Sequence, residues 1–125
     1  MAEIRLPAEA QQMLMEIQMF QQQMQAVSVQ KETLSLQNTE IEKALEELAK
    51  SKDSNDVYKA IGPILIKATA KSLEAELKEK KETIGLRLKS LEKQEARIRD
   101  KLKEVQEKLE GLIKSSQGKG PPAAE

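Results

Sequence analysis

The chain carries 21 acidic and 21 basic side chains but no histidine and no cysteine, and this inventory narrows the chemistry open to it. Without histidine it lacks the side chain that most often moves protons near neutral pH. Without cysteine it lacks a thiolate nucleophile and the ligands of most zinc sites. Carboxylates are plentiful, yet they intermingle with lysines along regularly periodic stretches, the pattern of solvated helix faces rather than of a catalytic acid–base pair. No GxxxxGK[ST] or GxGxxG run is present to cradle a phosphate. These residues point to a protein that is not an enzyme and holds no metal or cofactor.

Apolar side chains offer a different chemistry. All five methionines, Met1, Met13, Met15, Met19 and Met24, fall within residues 1–24, among glutamines such as Gln11, Gln18, Gln22 and Gln25. The unbranched, polarisable thioether of methionine repacks against varied partners. A second concentration lies in the middle of the chain. Val57-Tyr58-Lys59-Ala60-Ile61 and Ile64-Leu65-Ile66-Lys67-Ala68 flank Gly62-Pro63. β-Branched residues on both sides of a Gly-Pro pair read as a hairpin spanning about 56–68. A two-residue turn puts Val57, Lys59, Ile61, Ile64 and Ile66 on one face and Tyr58, Ala60 and Leu65 on the other.

Two long segments must position these clusters. The first, over about 7–50, repeats an apolar residue every seventh position: Leu6, Met13, Phe20, Val27, Leu34, Ile41 and Leu48. A companion series runs Ala10, Ile17, Met24, Lys31, Asn38 and Leu45. The alternating spacings of three and four form the seam of a left-handed coiled coil. Pro7 suits the first helical turn. The second segment, over about 70–114, repeats Ala70, Leu77, Ile84, Leu91, Ile98, Val105 and Leu112, with a weaker companion series Glu74, Lys81, Leu88, Glu95, Leu102 and Leu109. Glu74–Lys78, Glu76–Lys80, Glu95–Arg99 and Glu104–Lys108 are spaced as i,i+4 pairs, each worth a few tenths of a kcal/mol. Lys31, Asn38 and Glu95 interrupt the seam and set its register.

Similar lengths, each roughly 65 Å at the standard rise, and an intervening hairpin predict a mainly α protein. Its fold is a long antiparallel two-helix coiled coil connected by a β-hairpin, with the chain termini at one end and the connection at the other. Residues 51–56, Ser51-Lys52-Asp53-Ser54-Asn55-Asp56, break the first helix, and 115–125 form an aperiodic, flexible tail. One narrow helix pair cannot cover both apolar faces of the hairpin, and an isolated hairpin is marginal in water. Its exposed edges call for strands from other chains, so the segment predicts oligomerisation into a shared sheet or barrel.

At the other end, Met15 and Met19 point outward, four residues apart, with Leu14 beside the seam. Leu109, Leu112 and Ile113 arrive there in the antiparallel arrangement. Taken alone, this surplus apolar surface reads equally as a binding site or as an ordinary contact to another subunit or frayed helix ends with incidental methionine.

Balanced charge gives no general pull toward nucleic acid or anionic lipid. An RNA-binding arm would need a basic stripe, which the mixed charges do not form. No apolar run approaches membrane-spanning length, and the N-terminus lacks a basic start followed by an apolar stretch. A soluble cytoplasmic protein is expected.

The hairpin Val57-Tyr58-Lys59-Ala60-Ile61-Gly62-Pro63-Ile64-Leu65-Ile66-Lys67, with helices of matched length on either side, resembles the beta-type class of the prefoldin family. The likeness covers about residues 5–114 of a domain spanning 1–114, is specific at the hairpin and generic along the coils, and is archaeal in character. It implies a subunit of a hetero-hexamer of two alpha-type and four beta-type chains, whose hairpins form an intersubunit β-barrel. It further implies an ATP-independent chaperone that captures unfolded polypeptides at the helix ends and delivers them to a group II chaperonin. Carried onto this chain, assembly falls to Val57, Tyr58, Ile61, Ile64, Leu65 and Ile66. Client contact falls to Ile4, Leu6, Leu14, Met15, Met19, Leu112 and Ile113. The alternative is a structural coiled-coil adaptor that binds defined folded partners.

Overall fold

A computed structural model describes residues 7–51 and 56–118, with side chains to 115. The element order is α1 (Ala8–Lys50), β1 (Val57–Ile61), β2 (Ile64–Ala68) and α2 (Ala70–Gly118). Helix α1 begins where the sequence places it. Pro7 contributes the first carbonyl, which accepts the Gln11 N–H at 3.0 Å, and its own missing N–H costs nothing at that position. Helix α2 is capped by Thr69. The Ser72 N–H donates to Thr69 Oγ1 at 3.1 Å, satisfying one of the orphan donors of the first turn.

Two compact units divide the chain. One comprises Met1–Val29 with Glu92–Glu125, the other Gln30–Leu91. In the first, the early turns of α1 lie beside the late turns of α2. Ile17 lines a groove with Leu109 and Ile113, and Met13 lines another with Val105 and Lys108. Ala10, Val27, Ile98 and Leu109 are its buried residues. Met13, Ile17, Phe20, Met24, Leu102, Val105 and Leu112 are half-buried around them, as the two repeat series require.

In the second unit Ile41 and Leu91 are buried, and Leu34, Leu45, Leu48, Leu77, Ile84 and Leu88 are half-buried. The interrupting residues Lys31, Asn38 and, in the first unit, Glu95 are half-buried on the seam as expected. Asn38 donates to Glu42 at 3.3 Å and Arg99 donates to Glu95 at 3.1 Å, so these two polar interruptions each have a polar partner one turn on. The companion series of α2 departs from expectation at its start. Glu74 and Lys81 are exposed. Glu74 pairs with Lys78 at 2.7 Å, and Lys81 reaches across to Glu42 at 3.4 Å. A charge has no reason to stay in a seam when a partner waits in solvent. Leu73, one residue before Glu74, is half-buried instead.

Strands β1 and β2 pair antiparallel in the register Val57↔Ala68, Tyr58↔Lys67, Lys59↔Ile66, Ala60↔Leu65 and Ile61↔Ile64. Gly62 has φ 56, and the Pro63 ring holds its own φ negative. A positive then a negative φ at the two central positions is the type II′ pattern, whose twist suits a two-residue hairpin. At the far end of α2 the helix continues to Gly118, four residues beyond the boundary read from the sequence. The Ser-Ser-Gln-Gly run has no apolar period to predict it, yet it adds no breaker before Gly118. Residues 52–55 of the predicted breaker, and the tail beyond 118, lie outside the described residues.

Candidate functional site

The hairpin is the more conspicuous of two apolar surfaces. Its register assigns Val57, Lys59, Ile61, Ile64, Ile66 and Ala68 to one face and Tyr58, Ala60, Leu65 and Lys67 to the other, because cross-strand partners share a face. This matches the faces read from the sequence. Tyr58, Ile61, Ile64, Leu65 and Ile66 are all exposed, Leu65 at 69%, while Val57 is half-buried. Five large apolar side chains in ten strand residues, exposed on both faces, is far more than scattered surface hydrophobics require. Covering what remains exposed would yield roughly 4–8 kcal/mol per chain before association costs, at about 1.5–3 kcal/mol for each fully buried side chain.

One charge sits within that surface. Lys59 projects from β1 among Val57, Ile61, Ile64 and Ile66, and its Nζ donates to Glu76 Oε1 on α2. Both side chains are only about a third exposed, at 37% and 35%. The hydrogen bond from Lys59 holds the Glu76 carboxyl below its ordinary range, against the opposing effect of partial burial. Glu76 therefore does not form the i,i+4 pair with Lys80 that its spacing suggests. The other three predicted pairs do form, Glu74–Lys78, Glu95–Arg99 and Glu104–Lys108, with separations of 2.7, 3.1 and 3.2 Å. The Lys59–Glu76 pair ties the apolar face of the hairpin to α2 and removes an unpaired cation from it. A second ion pair, Lys67 to Asp56 at 3.4 Å, closes the open end of the hairpin on the opposite face.

The other surface belongs to the unit that carries the helix termini. Met15 is 71% exposed, with Met19 and Leu14 also exposed on α1. Leu112 and Ile113 are half-buried, Leu112 as part of the seam and Ile113 along the groove with Ile17, Leu109 and Lys114. Of the residues proposed for binding, Leu14, Met15 and Met19 are thus presented openly and Leu112 and Ile113 partly. Ile4 and Leu6 lie outside the described residues. Three exposed apolar residues went unnoticed in the sequence: Val29, Leu36 and Leu86. Counting sevens from Met15 through Gln22 reaches Val29 and then Leu36, so the signal for two of them was a second heptad column on the side of α1 away from the seam.

Among the described residues no group of histidine, cysteine, aspartate or glutamate is placed to hold a metal ion, and no helix is long and apolar enough to cross a membrane. The arrangement offers apolar contact area on the hairpin and, on the early turns of α1, apolar side chains set among hydrogen-bonding amides.

Comparison with known proteins places these features in a family. The sequence model described as Prefoldin subunit matches residues 11–116. The prefoldin subunit beta of Archaeoglobus fulgidus is 41% identical over 90% of this chain and 97% of its own length. That of Thermococcus kodakarensis is 39% identical over 95% of this chain and 97% of its own. Among solved structures, the crystal structure of the prefoldin beta subunit from Thermococcus strain KS-1 superposes with a TM-score of 0.80 at 38% identity, covering 94% of this chain and 98% of that one.

Proposed function

The chain belongs to the prefoldin family, and from that premise we propose that it is a beta-type subunit of a hetero-oligomeric, ATP-independent holding chaperone. Its hairpin joins those of neighbouring subunits, two alpha-type and four beta-type in all, in an intersubunit β-barrel. Its helix-terminal unit captures non-native polypeptides in the cytoplasm and passes them to a group II chaperonin. The observation that carries this reading is that most of the exposed large apolar residues, all but Val29, Leu36 and Leu86, lie in two separate stretches, the hairpin and the first turns of α1. One stretch can be buried permanently by assembly while the other remains available for transient contact.

The energetics suit holding rather than tight recognition. A fully buried methionine or leucine contributes about 1.5–3 kcal/mol, so one chain grips a client weakly. Several chains on one particle engage the same polypeptide through effective concentration, raising avidity without new contacts. Methionine at the contact tolerates many client sequences. The division of labour follows from residue type: β-branched residues, stiff and sheet-compatible, at the permanent joint, and flexible thioethers at the transient one.

The test replaces Leu14, Met15 and Met19 with Ser in the full-length chain and measures suppression of aggregation of several unrelated, chemically unfolded proteins. Suppression should fall for all of them while the oligomer elutes at its normal size. Retention of a single folded protein and none of the unfolded ones would instead identify an adaptor.

A further inference from the structure

In the unit built from the helix termini, the two helices differ sharply in surface chemistry. Between residues 8 and 29 of α1 the only charged side chains are Glu9 and Glu16, whereas α2 carries thirteen between residues 92 and 115. Every position of α1 away from the seam in that stretch is uncharged, save those two glutamates beside it. The column opposite the seam reads Ala8, Met15, Gln22 and Val29, and its neighbours include Gln12, Met19 and Ala26. All of these are exposed, Val29 at 50%. Among the described residues of this unit, α2 exposes no large apolar side chain.

Solubility does not require such a face, since a solvated helix ordinarily bears the mixed charges α2 displays. Its composition suits a particular ligand. Seven glutamines lie between residues 11 and 25. A primary amide supplies both donors and acceptors, matching the unpaired N–H and C=O groups of an extended, unfolded backbone. A charged side chain in the same place would have to be desolvated when an apolar segment covered it. Methionine, alanine and valine between the amides receive client side chains without selecting among them.

Building on the chaperone reading, we propose that the client site is the outer face of α1 from Leu14 to Val29, a strip about 22 Å long at the helical rise of 1.5 Å per residue, and not the helix ends alone. An uncharged, extended segment of non-native polypeptide lies along it. The outer face of α2 in the same unit stays in water and keeps the particle soluble. The two helices therefore have distinct roles, one wall for binding and one for solvation.

The experiment measures binding of reduced, carboxymethylated α-lactalbumin, a soluble unfolded polypeptide, to the full-length assembled protein by fluorescence anisotropy. One variant combines Gln22→Glu, Ala26→Glu and Val29→Glu; the control combines Lys101→Glu, Lys103→Glu and Lys108→Glu on α2. A third variant, Met15→Ser with Met19→Ser, reports on the first turns alone, and Val29→Ser tests apolar contact without added charge. Glutamate is a good helix former, so the α1 variant should keep its helicity and assembly, checked by circular dichroism and size exclusion. The α1 triple variant should bind at least about tenfold more weakly, a loss of ~1.4 kcal/mol, with the α2 control unchanged and Val29→Ser weakened to a smaller degree. Normal binding by the triple variant with weakened binding by the methionine pair would overturn the strip and leave the chaperone reading standing. Normal binding by both would overturn the two together. Equal weakening by the α1 and α2 variants would mean a general charge effect and defeat the assignment of one wall.

Discussion

Single residues in this chain take roles that their spacing only half reveals. Glu76 sits four residues before Lys80 and pairs instead with Lys59 from β1, because a cation within an apolar strand face needs neutralising more than a solvated one does. The Glu76 carboxyl is held below its ordinary value of 4.5 chiefly by that hydrogen bond. A depressed folded-state pKa means the contribution to stability is fully present above the unfolded value and fades as pH falls through the folded one. Thermal unfolding of the wild type and of Glu76→Gln should therefore differ at pH 7, with the variant less stable. The two should converge as pH falls through the depressed folded-state pKa, where the carboxylate takes up its proton in both states. A difference that persists unchanged into acid would show that the carboxylate's charge is not what holds the strand. Neither the pair nor its partner choice was legible in the sequence, because a contact between residues 59 and 76 depends on how the hairpin folds back onto α2. The hairpin turn at Gly62-Pro63, by contrast, was legible from the Gly-Pro dipeptide between two β-rich runs.

Elements were the most readable level. Both heptad series predicted which side chains turn inward, down to the half-buried Lys31, Asn38 and Glu95, since a seven-residue apolar repeat has one helical solution. Where the companion series of α2 was already polar, at Glu74 and Lys81, the structure turns those residues outward. The pattern held as far as hydrophobicity supported it and no further. The Thr69 cap was legible in principle, as a hydroxyl residue just before the helix, but Ala68-Thr69-Ala70 lacks the acidic residue three positions on that would have drawn attention to it.

Within α2, Gly85 is half-buried, and a Cβ added there would meet nothing within 4 Å. The backbone does not need glycine at this position. Gly85→Ala should raise the stability of the helix by about 0.8–1 kcal/mol, whereas Thr69→Ala should lower it by about 1 kcal/mol through loss of the cap. Denaturant midpoints of the two variants measured side by side check both signs. A destabilising Gly85→Ala would point to a close neighbour supplied by another chain.

For the molecule as a whole, the hairpin is the feature that a lone chain leaves unfinished. Its five exposed large apolar residues and two unpaired strand edges make a monomer an unsatisfactory end state. Replacing Ile64 and Ile66 with Asp would place two charges on the face that also bears Lys59 and should prevent assembly, read as a shift to a smaller species by analytical ultracentrifugation. A variant that still sediments as the full oligomer would mean that this face is not the joint. What the sequence could not express is which apolar residues stay open once neighbours arrive, because its periodicity records one chain's own packing and is silent on what other chains cover.

The central claim is that assembly and capture use different parts of the chain. Native mass spectrometry of the assembled particle, incubated with a chemically unfolded protein, tests it in one spectrum. The wild type should appear as a full oligomer carrying the unfolded chain, and the Leu14, Met15 and Met19 serine variant as the same full oligomer without it. A variant particle that falls apart, or one that retains the unfolded chain undiminished, would contradict the account.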